Sequence, residues 1–140
     1  MKQTKNILRF AFAIIFLMGA IANAIILLLK PDAYSGFAEL SFFPLYRLLW
    51  AQLVFPNIHL FVGFVVILEL VFTVFLIAKG VVVRIGLLLA ASFMLFLIPF
   101  WWSGSSLINL VFALILLWLS CSCYPLSMKE LFHDWRRSSE

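Results

Sequence analysis

The sequence predicts an all-α fold: a polytopic integral membrane protein in which four transmembrane helices form a bundle, with short interfacial helices between spans one and two. Three observations lead to this prediction. Of 140 residues 66% are hydrophobic, only 11% are charged, and the mean hydropathy is +1.16, whereas soluble domains are roughly 25% charged. Four apolar runs are each close to the roughly 20 residues that a helix needs to cross a bilayer. With their connections they use residues 1–140, so we predict a single membrane domain.

The boundaries of these elements lie where apolar runs meet charges, prolines and turn residues. The predicted spans are residues 10–29, 60–78, 82–100 and 107–124, and the predicted interfacial segment is 31–56. The first span imitates a signal peptide, because basic residues precede it and Ala22-Asn23-Ala24 resembles a cleavage site. However, the apolar run continues to Leu29, and about twenty residues suit a span better than a signal core. We therefore predict an uncleaved anchor.

The connection between spans one and two contains two proline-bounded pieces. Pro31 suits the first turn of a short helix, in which Asp32 and Glu39 recur on one polar face. The second piece runs from Pro44 to Pro56, and at about twelve residues it is too short to cross the bilayer. We predict that both pieces form interfacial or re-entrant helices.

The remaining spans are joined by short connections. Lys79 and Gly80 form a tight turn, so spans two and three are predicted to be an antiparallel helical hairpin. Pro99 lies near the end of span three, where a kink disturbs few backbone hydrogen bonds. The fourth span ends at Tyr124, immediately before Pro125.

The lysines and arginines are divided unequally between the two sides of these spans, eight against two. The larger group is Lys2, Lys5, Arg9, Lys79, Arg84, Lys129, Arg136 and Arg137, and the smaller is Lys30 and Arg47. Because cytoplasmic loops carry the excess of basic residues, we predict a multi-pass protein of the plasma (inner) membrane with both termini cytoplasmic. The net charge of +4 is spread over the ends of apolar runs. The lipid bilayer is thus the expected partner, and nucleic acid is excluded.

A candidate ligand or proton site is centred on Glu69, the one acidic residue within the predicted spans. A charged side chain near the membrane centre costs roughly 2.5 to 3.5 kcal/mol on insertion scales, so it should face protein, water or a partner. At about 1.5 Å of rise per residue, Ser92 has the same depth and Asn23 lies about 7 Å further out. Thr73 lies one turn from Glu69 on the same helix face. Arg84, across the hairpin turn, completes the candidates.

Two interpretations of this cluster stay open. Glu69 could bind a ligand or handle protons, as intramembrane acids commonly do. Alternatively, a protonated Glu69 hydrogen-bonded to Asn23 or Ser92 would join helices without further function. Arg84 is a candidate counter-ion for Glu69, although extending to the cytoplasmic interface is easier for its long side chain.

Cys121 and Cys123 form a C-x-C pair at the predicted cytoplasmic end of span four. Such thiols can exchange disulfides or bind a soft metal with His133 as a third ligand, which makes them weak redox or metal candidates. The spacing differs from C-x-x-C and the cytoplasm is reducing, so packing at a helix end or lipidation are the alternatives. His59 and His133 fall on opposite sides of the membrane, so they cannot share a metal or haem. No metal site is predicted.

Together these residues resemble the DoxX-like family of small four-span membrane proteins. The resemblance begins with Arg9, which leads into a span with Gly19 near its middle, and continues through the proline-bounded segment after it. It rests above all on Glu69, Gly80 and Arg84, which are spaced as E-x10-G-x3-R.

The resemblance covers the chain from Arg9 to Phe100, and the fourth span is similar only in hydrophobicity. The chain departs from the family at Thr73, one turn after the acid, where a glycine is common. Some members of the family are membrane subunits of redox systems, including thiosulfate to quinone oxidoreduction, in which a partner carries the chemistry. By resemblance, Glu69 and Arg84 are the positions of interest.

The resemblance therefore implies an accessory subunit of a redox or quinone-linked membrane complex, without catalytic activity of its own. Its partner would be a redox protein; no cofactor is predicted for the chain itself, and quinone is the ligand that such a complex would share. The alternative is a small proton-linked transporter or lipid-binding membrane protein that uses Glu69. No phosphate-binding glycine loop, H-E-x-x-H or G-x-S-x-G motif occurs in the sequence.

Overall fold

The fold is known from a computed structural model, which describes residues 2–41, 43–100 and 104–131. These residues are helical apart from short connections, and no β-strand occurs among them. The all-α prediction is confirmed. In chain order the helices are α1 (Lys2–Leu29), α2 (Phe37–Leu40), α3 (Pro44–Leu49), α4 (Ile58–Ile77), α5 (Val81–Leu97) and α6 (Gly104–Ser120).

The four long helices pack side by side, α1 against α4, α4 against α5, and α5 against α6. Small residues allow close approach between them. At Gly86 of α5 an added Cβ would lie 2.5 Å from the Cβ of Phe75 in α4, so a larger residue would push these helices apart. The larger buried cluster consists of Phe12, Ala13, Phe16, Phe72, Leu76, Val83, Leu87, Ala90, Ala91, Met94, Ala113, Leu116, Leu119 and Tyr124. A smaller one consists of Tyr34, Ile58 and Val62.

Large apolar side chains also cover much of the outer surface of all four long helices. Examples are Ile14 and Leu28 of α1, Leu60 and Phe64 of α4, Leu88 and Phe96 of α5, and Leu107 and Leu114 of α6. Two helical runs, Gln3–Leu29 and Pro44–Ile77, are long and apolar enough to cross a membrane by length and composition. Val81–Leu97 and Ser106–Ser120 are apolar but shorter.

The predicted helix break at Pro56 does not occur. The helical path continues from Pro44 to Ile77 through a π-helical turn (Trp50–Val54) and a 3-10 turn (Phe55–Asn57). Pro56 lies in the first turn of this 3-10 segment, where a missing backbone N–H costs least, and the change of helix type accommodates the lost hydrogen bond. The segment after α3 is therefore continuous with α4.

Other boundaries shift by a few residues. α1 begins at Lys2, eight residues before the predicted start of span one at 10. α5 ends at Leu97, and Pro99 lies in the 3-10 turn that follows. α6 ends at Ser120 instead of 124. Pro125 disfavours helical geometry at Tyr124, the residue before it, but does not account for the earlier end.

One end of the long helices gathers the α1 N-terminus, the α4–α5 turn and the end of α6. Gly80 makes that turn possible, since its φ of +69° is a left-handed conformation that favours glycine. Three hydrogen bonds join the parts: Lys5 to the Ser122 hydroxyl, the Gly80 N–H to the Tyr124 carbonyl (2.7 Å), and the Arg84 Nε to the Ser120 carbonyl (3.1 Å). We call this the basic end, because it carries Lys5, Arg9, Lys79 and Arg84.

Candidate functional site

Glu69 lies on the buried face of α4. Its neighbours on that face are apolar, and its side chain is 8% exposed. Gly19 of α1 makes room for the carboxyl, because an added Cβ at Gly19 would lie only 2.6 Å from the Glu69 Oε1. The carboxyl therefore fills a space between α1 and α4 that a glycine leaves open.

A chain of hydrogen bonds ends at this carboxyl. Asn23, one turn after Gly19 on α1, donates from Nδ2 to the Glu69 Oε2 at 3.0 Å. The Tyr34 hydroxyl donates to the Asn23 Oδ1 at 3.1 Å. The Trp50 Nε1 donates to the backbone carbonyl of Tyr34 at 3.0 Å. We call Trp50, Tyr34, Asn23 and Glu69 the polar chain.

Aromatic rings pack together at the Trp50 and Tyr34 end of the polar chain. Phe37 lies between Tyr34 and Trp50, with edge-on contacts of 5.4 and 5.7 Å between ring centroids. Burial raises the pKa of the Tyr34 hydroxyl, and the negative charge of Glu69 raises it further. The hydroxyl therefore remains a hydrogen-bond donor at neutral pH.

Thr73 lies beside the polar chain but does not bond to the carboxyl. Its hydroxyl is 2.9 Å from the backbone carbonyl of Glu69 and 3.3 Å from that of Ala13 in α1. It thus contributes to the contact between α4 and α1 through the backbone. The sequence correctly placed Thr73 near Glu69, and the structure directs its hydroxyl to the main chain.

Ser92 and Arg84 are not brought to Glu69. The Ser92 side chain is exposed on α5. The Arg84 Nε donates to the carbonyl of Ser120, where α6 ends and its last carbonyls lack helical partners. Arg84 is therefore not the counter-ion of Glu69. Within residues 2–41, 43–100 and 104–131 the one ion pair joins Lys79 and Glu130, at 2.9 Å.

The two cysteines are separate from this site. Cys121 and Cys123 are free thiols on the exposed surface at the basic end, and the Cys121 Sγ contacts the Leu117 carbonyl at 3.5 Å. No group of three metal-ligating side chains occurs in the described part of the chain. His133, the proposed third ligand, lies outside the described residues.

Sequence reasoning missed two members of the polar chain and one buried cation. Tyr34 and Trp50 belong to the segment predicted as interfacial. The Tyr34 hydroxyl reaches Asn23 of α1, and the Trp50 Nε1 reaches the backbone carbonyl of Tyr34. Arg9 is completely buried. Its position three residues before Phe12 and seven before Phe16 puts it on the buried stripe of α1, a signal that the charge count overlooked.

Comparisons with known proteins gave no match. No family model, curated protein or solved structure matches the chain. The similarity to the DoxX-like family therefore stays a prediction, which rests on the spacing of Glu69, Gly80 and Arg84 in the sequence.

Proposed function

We propose that this chain is a DoxX-like protein with four membrane spans, both termini on the cytoplasmic side of the plasma (inner) membrane, and that it is a small proton-linked transporter using Glu69. Two features support the four-span arrangement. The long helices are apolar on their outer faces, as expected of helices in lipid. In addition, Lys5, Arg9, Lys79 and Arg84 gather at one end of the helices, as the rule for cytoplasmic positive charge requires.

The observation that carries the proton-linked role is the polar chain. An acidic side chain is buried among apolar groups, and within the described residues the amide of Asn23 is its one side-chain donor. A buried carboxylate without a cation beside it is costly, and binding a proton removes its charge. A carboxyl in this setting gains or loses a proton when its surroundings change, which is the property that coupled transport uses.

The geometry also offers a hydrogen-bonding arrangement for each protonation state. In the structure Asn23 donates to Glu69 and accepts from Tyr34. When Glu69 holds a proton, a half-turn of the Asn23 amide lets its oxygen accept from the carboxyl O–H. The Tyr34 hydroxyl then donates to the Asn23 backbone carbonyl, which is already 3.4 Å away. Protonation of Glu69 thereby changes a hydrogen bond of the segment that carries Tyr34.

Infrared difference spectroscopy tests the proposal directly. The reconstituted full chain is compared between acidic and alkaline buffers, and a carboxyl C=O signal should appear that Glu69→Gln abolishes. Proteoliposomes that contain a pH-sensitive dye, driven by a potassium diffusion potential, should acidify with wild type and not with Glu69→Gln. Equal titration and equal flux in both proteins would refute the proton-linked role.

A second candidate is the accessory subunit of a redox or quinone-linked complex. The close fit of the Glu69 carboxyl against Gly19 favours it, since a filled site suits a structural joint between helices. In this case Glu69→Gln keeps its function and only Glu69→Leu loses it, because glutamine preserves the hydrogen bond. Native mass spectrometry of the protein extracted from its own host in mild detergent should then detect a stoichiometric partner polypeptide or quinone. A bare protein would refute this candidate under those conditions.

A further inference from the structure

The basic end contains a buried cation, Arg9, that makes only part of its hydrogen bonds to the described residues. Arg9 is 0% exposed, and its Nε and Nη1 have no hydrogen-bond partner in the described part of the chain. Its Nη2 reaches the Leu126 carbonyl only at 3.4 Å, and its guanidinium carbon lies 4.8 Å from the centre of the Tyr124 ring. The ring partly compensates the charge. However, a guanidinium has five N–H donors suited to oxyanions, so this one lacks acceptors.

A cavity of about 500 Å³ lies beside this cation. Its wall includes Leu126 and Tyr124, whose carbonyl and ring lie next to the Arg9 guanidinium, so Arg9 lies one residue layer from the space. Lys5 lines the cavity one turn before Arg9 on the same face of α1. Its ammonium group also lies 4.3 Å from the centre of the Trp118 ring.

The polar lining of the cavity has the chemistry of an anion site. Lys5 offers a charged donor, Asn6 an amide and Ser122 a hydroxyl O–H, while the Ser122 oxygen accepts a hydrogen bond from Lys5. The rest of the wall consists of Cys123, Tyr124, Pro125, Leu126 and Leu131. The one described carboxylate at this end that forms an ion pair, Glu130, pairs with Lys79. Positive charge from two side chains therefore acts on a space of the size that small ligands occupy.

We propose that this cavity binds one phosphate group, with Lys5, Asn6 and Ser122 in contact with it and Arg9 adding positive charge from behind Tyr124. The site lies at the opposite end of α1 from the polar chain and goes beyond the proposed function. Its phosphate comes either from the headgroup of an anionic phospholipid or from a free phosphate compound. A lipid would place its acyl chains along the apolar outer faces of α1 and α6.

The test uses the purified full chain in a neutral detergent and two probes. Native mass spectrometry counts molecules of short-chain phosphatidylglycerol retained per chain, with phosphatidylcholine as the uncharged comparison. Isothermal titration calorimetry measures binding of inorganic phosphate. Retention of one phosphatidylglycerol without phosphate binding assigns a lipid headgroup, and measurable phosphate binding assigns a free phosphate compound. Binding of neither probe would overturn the proposal.

Variants locate the site and control for general charge. Lys5→Gln should weaken binding about tenfold, as expected for loss of one charge-assisted hydrogen bond. Lys129→Gln removes the same charge from an exposed position at the same end and should leave binding unchanged. Arg9→Lys keeps the charge and should retain binding even where Arg9→Gln fails to fold. Equal weakening by Lys5→Gln and Lys129→Gln would overturn the proposal, because it would indicate a diffuse surface attraction.

Discussion

The side-chain amide of Asn23 in α1 donates to the carboxyl of Glu69 in α4 at 3.0 Å. This hydrogen bond crosses the contact between two long helices, with Gly19 providing the space. The same amide accepts from Tyr34, so one residue links the buried acid to the segment between α1 and α4.

Replacement of Glu69 should show which of its properties stabilises the fold. Glu69→Gln keeps an oxygen that accepts from Asn23, and its melting temperature in detergent should be close to wild type. Glu69→Leu leaves the Asn23 donor buried and unpaired, which should cost about 1 to 3 kcal/mol of unfolding free energy. Thermal unfolding followed by size-exclusion chromatography measures both. Equal stability of the leucine and glutamine variants would show that the hydrogen bond contributes nothing.

Glycine-to-alanine substitutions at three positions should differ in their cost to stability, because the space around the added Cβ differs. Gly86→Ala places a Cβ 2.5 Å from the Phe75 Cβ, which cannot move without its backbone, so the loss should be about 1 to 3 kcal/mol. Gly19→Ala meets the mobile end of Glu69, and should cost less, about 1 kcal/mol, through the disturbed Asn23 bond. Gly63→Ala is the control, since nothing lies within 4 Å of its added Cβ. The reverse order of stabilities would contradict this packing.

Tyr34→Phe should remove one hydrogen bond and leave the aromatic packing in place. The Asn23 Oδ1 loses its donor, and the expected cost is about 1 kcal/mol of unfolding free energy. Because the bond needs both partners, Tyr34→Phe should cost much less when Asn23 is already leucine. A double-mutant cycle with thermal unfolding measures this coupling. Additive effects would mean that the two residues act independently.

The pKa of Glu130 should be low in a titration followed by nuclear magnetic resonance. The backbone N–H of Ser127, the Lys79 ammonium and the Ser127 hydroxyl all bind this carboxylate and lower its pKa from 4.5 to about 2. Ser127 and Glu130 thereby form a capping box for residues 128–131. Since the pKa is lowered on folding, the stabilisation is present above pH 4.5 and disappears as the pH falls towards about 2.

Two variants test the causes of that shift. Ser127→Ala and Lys79→Gln should each raise the pKa of Glu130. Neither should restore the ordinary value, because the backbone N–H of residue 127, the largest cause, remains in both. An ordinary pKa in wild type would show that the 128–131 turn does not form in solution.

The elements that sequence reasoning located well are those set by local chemistry. The turn at Gly80 follows from a glycine between two apolar runs. The start of the short 3-10 helix Pro31–Tyr34 follows from the fixed φ of proline. The predicted helix break at Pro56 was wrong. The helical path continues through a π-helical and a 3-10 turn, and no single residue type in the sequence indicates these backbone adjustments.

The candidate site shows the same division. Depth along the helices put both Asn23 and Ser92 within reach of Glu69, but depth is only one coordinate. The orientation of α5 about its own axis buries Ala90, Ala91 and Met94 and leaves Ser92 exposed. Only packing against the neighbouring helices determines that rotation.

By itself, the sequence determined the helical class, the apolar runs and the presence of one buried acid at Glu69, because composition and periodicity are local properties of the chain. Tertiary structure alone decided that Asn23 donates to this acid and that Tyr34 donates to Asn23. It also decided that Arg84 caps α6 and that Arg9 is buried beside a cavity. These facts join residues far apart in the chain. They depend on how helices rotate and where connecting segments fold back, which is settled only when the whole core packs together.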